Sequence, residues 1–309
     1  MKVLLTGAAG QLGQALVGRL PEGIELVASS RNGGNGLVAL DLADAAACRQ
    51  LVEEQRPDWV LNAGAYTAVD KAEAEPELAH AVNGGAPRAF AEAIQAHGGR
   101  MLQLSTDFVF NGQQGTPYRV DQSRDPLGVY GASKASGEEA VEELLGASDQ
   151  GVVLRTSWVM GPVGKNFALT MLRLHREREQ LGVVADQVGC PSSTLNLATA
   201  CWAVITSSRD EVELPPVLHW CDGGAASWYD VSVAVGELAM DLGLLERAAT
   251  VNPTSTSDYP TPATRPAYSL LDCQGSRAAL NLEAQSWRAA LRDVLRLSLI
   301  HISEPTRPY

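Results

Sequence analysis

The sequence predicts an α/β fold, a doubly wound parallel sheet followed by a smaller C-terminal lobe, and three observations carry that expectation. Short apolar runs alternate with helix-like stretches through the first half. A glycine-rich turn, Gly7-Ala-Ala-Gly10-Gln-Leu-Gly13, separates the first run from the first helix, and the alternation loses its rhythm after Thr156. Strands that alternate with helices pair in parallel through right-handed crossovers, which places helices on both faces of the sheet. The length of 309 residues is enough for one large α/β unit and a partner lobe.

The elements follow in order. Lys2 to Thr6 reads as a buried strand, and Gln11 to Leu20 as a helix with Leu12, Leu16 and Leu20 on one face. Ile24 to Ala28 and Leu37 to Leu40 are the next strands; Asp44 caps a helix that runs to about Gln55. Asp58 to Asn62 is a strand, an alanine-rich helical region covers Pro76 to His97, and Arg100 to Ser105 is another strand. A helix from Val129 to Leu145 and a strand from Val152 to Thr156 complete the alternating part. Beyond it, helical patterns at 166–179, 194–206 and 228–242 are separated by loops. Residues 252–266 hold four prolines and read as an irregular loop or lid. The expected division is 1–156 for the first domain and 157–296 for the lobe, with segments of the lobe returning to the first sheet. Residues 297–309 read as a non-native tail, with Pro305 and Pro308 barring a helix through it.

Composition narrows the class. With 45% hydrophobic and 19% charged residues, the chain is neither disordered nor a coiled coil. A net charge of -12 argues against nucleic acid or an anionic membrane as a partner, while a small anionic ligand stays open. The five cysteines, at 48, 190, 201, 221 and 273, show no metal-ligand spacing and read as buried thiols of a reducing compartment. No stretch resembles a signal peptide or a membrane span, so a cytoplasmic location is expected.

The glycine turn carries the first chemistry. Gly7, Gly10 and Gly13 allow a tight turn, close approach of a pyrophosphate to backbone N–H groups, and close helix–strand packing, which marks an NAD(P)-binding Rossmann domain. At the end of the second strand, where NAD-preferring folds carry an acid, Ser29-Ser30-Arg31 stands instead. Arg31 suits a 2′-phosphate and points to NADP(H); a solvated loop arginine, with NAD(H) accepted too, is the alternative. Asp41 could accept from the adenine amine or close the turn it begins.

The second constellation is Ser105-Thr106-Asp107 at a strand end, followed by Tyr130 and Lys134, one helical turn apart on one face. A phenol beside an ammonium can exchange a proton near neutrality, and a hydroxyl at the strand end can hold the same substrate oxygen. Glu138-Glu139 and Glu142-Glu143 read as solvated charges of a helix face, and the histidines show no zinc pattern, so no metal site is expected.

These features resemble the extended short-chain dehydrogenase/reductase superfamily. Longer strings, Asn62 to Glu73, Ser105 to Gly112, Arg155 to Val159, Lys165 to Phe167, Asp186 to Pro191 and Arg265 to Asp272, resemble the dTDP-4-dehydrorhamnose reductase family within it. The resemblance implies NADPH-dependent reduction of the C4 ketone of dTDP-4-dehydro-β-L-rhamnose to dTDP-L-rhamnose. It places Gly7, Gln11 and Leu12 at the pyrophosphate, Asp41 and Leu42 at the adenine, and Ala63, Gly64, Ala65 and Tyr66 at the ribose. Thr106, Tyr130 and Lys134 would be catalytic, with Lys134 lowering the Tyr130 pKa, and Asp107 and Trp158 would lie near the sugar. Arg265, in its proline-rich loop, reads as a clamp on the nucleotide-sugar diphosphate or as a surface ion pair. The family is linked to Mg²⁺, by resemblance alone, and a homodimer is left open. Gly64 and Phe108 depart from the family pattern of Ala and Tyr. The rival readings are another nucleotide-sugar 4-ketoreductase or an epimerase of the superfamily, and a non-catalytic NADP-binding regulatory subunit.

Overall fold

The computed structural model describes residues 1–207 and 213–303, with side chains through residue 299. Strand β1 (Lys2–Thr6) leads into α1 (Gln11–Gly18), then β2 (Glu25–Ser30), β3 (Val38–Ala39) and α2 (Ala45–Gln55). Next come β4 (Trp59–Asn62), the short helices α3 (Val69–Ala72) and α4 (Pro76–His80), a π turn over Ala81–Gly85 and α5 (Ala86–His97). Then follow β5 (Arg100–Thr106), α6 (Val129–Leu145), β6 (Gly151–Thr156), β7 (Val159–Met160), α7 (Phe167–Glu177), β8 (Gln180–Val184), β9 (Val188–Gly189) and β10 (Ser192–Ser193). The chain continues with α8 (Thr194–Ser207), β11 (Val217–His219), β12 (Ala226–Ser227), α9 (Trp228–Asp241), β13 (Thr250–Thr254), α10 (Gln274–Leu280) and α11 (Trp287–Ser303).

Seven strands form one sheet in the order β11-β6-β5-β4-β1-β2-β3, every neighbouring pair parallel. This is the expected doubly wound fold, and its strand order reverses between β1 and β4, where a crevice opens at the strands' carboxyl ends. The strands read as continuous apolar runs because both faces are covered. Alternate side chains then separate. Val3, Leu5, Trp59, Leu61, Leu102, Leu104, Val152 and Leu154 pack on the side of α1 and α8, while Leu4, Val60, Met101 and Val153 pack on the side of α2, α5 and α6.

Several local expectations are corrected. The 76–97 region is not one regular helix: the Asn83-Gly84-Gly85 segment forms a π turn, and a side chain at Gly84 would meet Ser136 Cβ at 3.2 Å on α6. Residues 252–254, expected in an irregular loop, belong to β13, which pairs in parallel with β8 alone. Pro253 is tolerated because an edge strand has one row of N–H groups without a ladder partner. Helix α8 and β11 are the segments past residue 156 that return to the large sheet unit: Trp202 Nε1 donates to the Leu16 carbonyl at 3.1 Å, and Val217 to His219 pair with β6. A separate core gathers α7, α9 and α11 over β8. Helix α11 continues past residue 296 to Ser303, with Ser298 buried; Pro305 and Pro308 of the expected tail lie outside the described residues.

Candidate active site

Every residue singled out above for cofactor, chemistry or substrate lines one cleft of about 930 Å³ at the carboxyl ends of the sheet. Its floor is the glycine turn. Gly7 sits at φ +69, and a Cβ there would come within 2.7 Å of the Gly64 Cα. A Cβ at Gly13 would run into the Gly7 carbonyl and Ala8. Gly10 precedes α1 without any side-chain cap, so the first N–H groups of the helix face the cleft with no intrahelical partner. Such a cradle fits a diphosphate. Gly64 is less freely exchangeable for Ala than its size suggests, because a Cβ would meet Leu42 Cδ1 at 2.5 Å and the leucine side chain would have to turn away.

Arg31 and Asp41 meet beside this floor. Arg31 Nε donates to Asp41 Oδ2 at 3.2 Å, and Asp41 Oδ1 accepts from Ala43 N at 3.0 Å. Both side chains stay largely exposed, so the arginine can still turn to an incoming anion, while the aspartate acts in a turn and an ion pair. Gln11 points out of the loop: its amide donates to the Lys165 carbonyl at 3.1 Å and accepts from Gly161 N and Asn166 Nδ2. It therefore joins the cradle to the loop that starts α7.

A buried polar chain crosses the strand ends. Thr6 Oγ1 donates to Asn62 Oδ1 at 2.6 Å, Asn62 Nδ2 to Gln103 Oε1 at 2.7 Å, and Gln103 Nε2 to the Leu104 carbonyl at 2.7 Å. Lys134 Nζ donates to that same carbonyl at 2.6 Å. Each link satisfies a group that burial would otherwise penalise. Asn83, in the π turn, accepts from Tyr66 N and donates to the Tyr66 carbonyl and to Ser133 Oγ, tying the loop after β4 to the helix that carries Tyr130 and Lys134. The sequence offered no signal for Asn83 beyond its glycine neighbours.

Thr106 ends β5 and caps the short turn after it, accepting from Phe108 N at 3.2 Å and donating to Asp107 Oδ1 at 3.0 Å. Burial pushes the Tyr130 phenol up to about 12; Thr106 holds it partly back and the Asp107 charge reinforces the rise. Burial lowers Lys134 to about 8, opposed by the charge of Glu138. The expectation that Lys134 lowers the Tyr130 pKa is thus corrected: the ammonium is turned to the Leu104 carbonyl, and dehydration governs the phenol. Asp107, 1% exposed, is pushed up to about 6 by burial against the Ser269 and Thr106 hydroxyls.

At the far end, Trp158 stacks on Trp228, with ring centroids 3.7 Å apart and planes at 11°. Trp228 was not foreseen, since it lies in a helix start 70 residues downstream with no motif around it. Its Nε1 donates to Gln187 Oε1 at 3.2 Å, and Gln187 Nε2 donates to Thr256 Oγ1 at 3.1 Å. Phe108 sets its ring edge-on to Tyr130 at 5.6 Å. Arg265 reaches the cleft wall, but its guanidinium forks onto Asp70, at 3.0 and 2.8 Å. The surface ion pair is therefore what this arginine makes, and it straps the 259–266 loop to α3.

Glu138 corrects the reading of the acidic runs. It is fully buried and takes Arg155 in a forked pair, Nε to Oε1 at 3.0 Å and NH2 to Oε2 at 2.7 Å, with Arg124 NH1 at 3.1 Å. Glu139, Glu142 and Glu143 are more exposed. Among the described residues, no group of three His, Cys, Asp or Glu is placed to hold a metal ion, and no helix is long and apolar enough to cross a membrane.

Residues 1–299 match the family model described as the RmlD substrate binding domain. A dTDP-4-dehydrorhamnose reductase of Streptomyces griseus is 40% identical over 291 residues, covering 94% of this chain and 91% of that one. A protein of Streptomyces antibioticus, described as a probable dTDP-4,6-dihydroxy-2-methyloxan-3-one 4-ketoreductase, is 38% identical over 308 residues, 99% of each chain. The crystal structure of a dTDP-4-dehydrorhamnose reductase from Bacillus anthracis in complex with NADP superposes with a TM-score of 0.83 at 33% identity, covering 95% of this chain and 98% of that one. The chain belongs to the RmlD substrate binding domain family, and several of its near-full-length relatives are described as dTDP-4-dehydrorhamnose reductases.

Proposed function

We propose that the protein reduces the C4 ketone of dTDP-4-dehydro-β-L-rhamnose to dTDP-L-rhamnose with NADPH. The observation that carries this reading is the meeting, in one cleft, of an uncapped glycine cradle with Thr106, Tyr130 and Lys134. The glycine turn and the start of α1 would hold the pyrophosphate, Arg31 would receive the 2′-phosphate, and Ala63 to Tyr66 would border the ribose. When bound, the reduced nicotinamide supplies the hydride that the ketone carbon accepts. Tyr130, whose phenol stays protonated at neutral pH, gives its proton to the developing alkoxide oxygen, and Thr106 orients that oxygen. Lys134, charged below about pH 8 and turned to the Leu104 carbonyl, adds positive charge to the cleft in which the alkoxide develops. The Trp158–Trp228 wall offers an apolar face to the sugar ring. Residues 1–156, joined by α8 and β11, make the cofactor half, and the rest of the lobe makes the sugar half. Five free buried cysteines fit a reducing, cytoplasmic setting.

The relative described as a 4-ketoreductase of a different dTDP-sugar supports a second reading, in which the reaction is the same and the sugar differs. Following NADPH absorbance over a panel of 4-keto nucleotide sugars, with NMR of the product, decides between them. Turnover with none of the panel overturns both.

A further inference from the structure

We propose that Glu138 is a positioning residue for the reductase reaction: with Arg155 it forms a buried ion pair one helical turn from Lys134, on the same face of α6, and sets the electrostatic surroundings of the lysine. This inference rests on the reductase reading above. Tyr130, Lys134 and Glu138 fall at successive i, i+4 positions of α6 and so share one face of the helix. The first two meet the cleft; Glu138 lies one turn deeper, with no exposed surface. A carboxylate taken wholly out of water is costly unless paired and hydrogen-bonded. Glu138 is doubly so, through the fork from Arg155 and the contact from Arg124. Arg155 is itself fixed: NH1 donates to the Val120 carbonyl at 3.2 Å, and its guanidinium lies 5.1 Å over the Phe110 ring. Burial alone would push the Glu138 carboxyl up; Arg155, with Ser105 and Arg124, more than reverses this, so the group stays ionised.

A pair serving only to clamp α6 onto β6 could stand at any depth of the helix. This one stands beside a lysine that burial works to discharge. Among the described residues, the hydrogen bond acceptor of Lys134 is the Leu104 carbonyl, a neutral group. The charge acting on it is that of Glu138, which favours the ammonium, while Arg155 is taken up by Glu138 and, through NH1, lies 3.3 Å from His219 Nε2. His219, held down to about 4 by burial and by Arg155, is neutral at working pH. Glu138, from its own helix, is thus the charged group that acts on the lysine, while Asp107, from the end of β5, acts on Tyr130 one turn away. Arg155 and Arg124, from β6 and the loop before α6, act on Glu138, and Arg155 and Glu138 act in turn on His219 of β11.

The test is the pH profile of kcat/KM for dTDP-4-dehydro-β-L-rhamnose at saturating NADPH. Wild-type turnover tests the reductase reading; the displacement between wild type and variant tests Glu138. In the wild type, activity falls through a limb near pH 8, set by Lys134. Glu138→Gln moves that limb down by about one pH unit, the scale of a lost neighbouring charge, while kcat at low pH and NADPH affinity persist. Glu138→Asp restores part of the displacement. If Glu138→Gln leaves Arg155 stranded and does not fold, the double variant Glu138→Gln, Arg155→Gln keeps an amide pair without buried charge, and its limb moves in the same direction. A folded variant with the wild-type limb, or a wild-type profile flat to pH 9.5, overturns the proposal.

Discussion

The Trp158 indole lies flat on that of Trp228, centroids 3.7 Å apart, and Trp158 holds a left-handed backbone, φ 45, that a large side chain adopts only when its surroundings impose it. The ring also fills the space beside Gly189, where a Cβ would come within 2.8 Å of the indole. Trp158 is therefore held by both Trp228 and the Gly189 backbone. Trp228→Ala removes a stacking partner worth roughly 0.5–1.5 kcal/mol and frees the strained residue to relax. The expected outcome is a KM for the nucleotide sugar raised roughly 10-fold with the KM for NADPH unchanged, read by initial rates. Equal effects on both constants would show that the stack does not serve the sugar.

Tyr130→Phe keeps the ring against Phe108 and removes the acidic proton. Turnover is expected to fall about 10²- to 10⁴-fold, the usual scale for a lost general acid, while NADPH binding followed by fluorescence stays near wild type. Retained turnover would rule out the phenol as proton donor.

Asp107 gives a stability prediction with a definite sign. Its native carboxyl titrates near 6, above the ordinary value of 3.8, so between those pH values the folded chain binds more protons than the unfolded one. The residue therefore costs stability as pH rises through that window, and the whole cost is present above pH 6. Asp107→Asn should raise stability at pH 7.5 by roughly 1–3 kcal/mol, with little gain at pH 4. Urea titration at the two pH values checks it; a gain independent of pH would assign the effect to packing.

Arg31→Ala should raise the KM for NADPH about 10-fold and leave that for NADH unchanged, since one charge-assisted contact to a 2′-phosphate is lost. Asp41 pairs with Arg31 at 3.1 Å, so Asp41→Asn should act in the opposite direction on NADPH. Initial-rate kinetics with both cofactors decide. Parallel changes for NADH and NADPH would place Arg31 outside the 2′-phosphate contact.

The parallel sheet, the glycine cradle and the Thr106, Tyr130 and Lys134 set were legible in the sequence because each depends on near neighbours. Apolar runs with both faces buried mark β1, β4, β5 and β6; Gly7 and Gly13 are needed where a Cβ would strike backbone; and i, i+4 spacing puts Tyr130 and Lys134 on one face. What the sequence by itself could not decide are the partnerships between distant segments. Glu138 and Glu139 are adjacent acids on one helix, and only the closing of α6 over β6 buries one against Arg155 while leaving the other in solvent. Arg265 found Asp70 at a separation of 195 residues, Trp158 found Trp228, and Lys134 found a carbonyl instead of the phenol beside it. Helical and strand periodicity say which side of an element faces inward. Charge pairing and dehydration depend on what the rest of the chain brings to that side, and tertiary packing alone sets that.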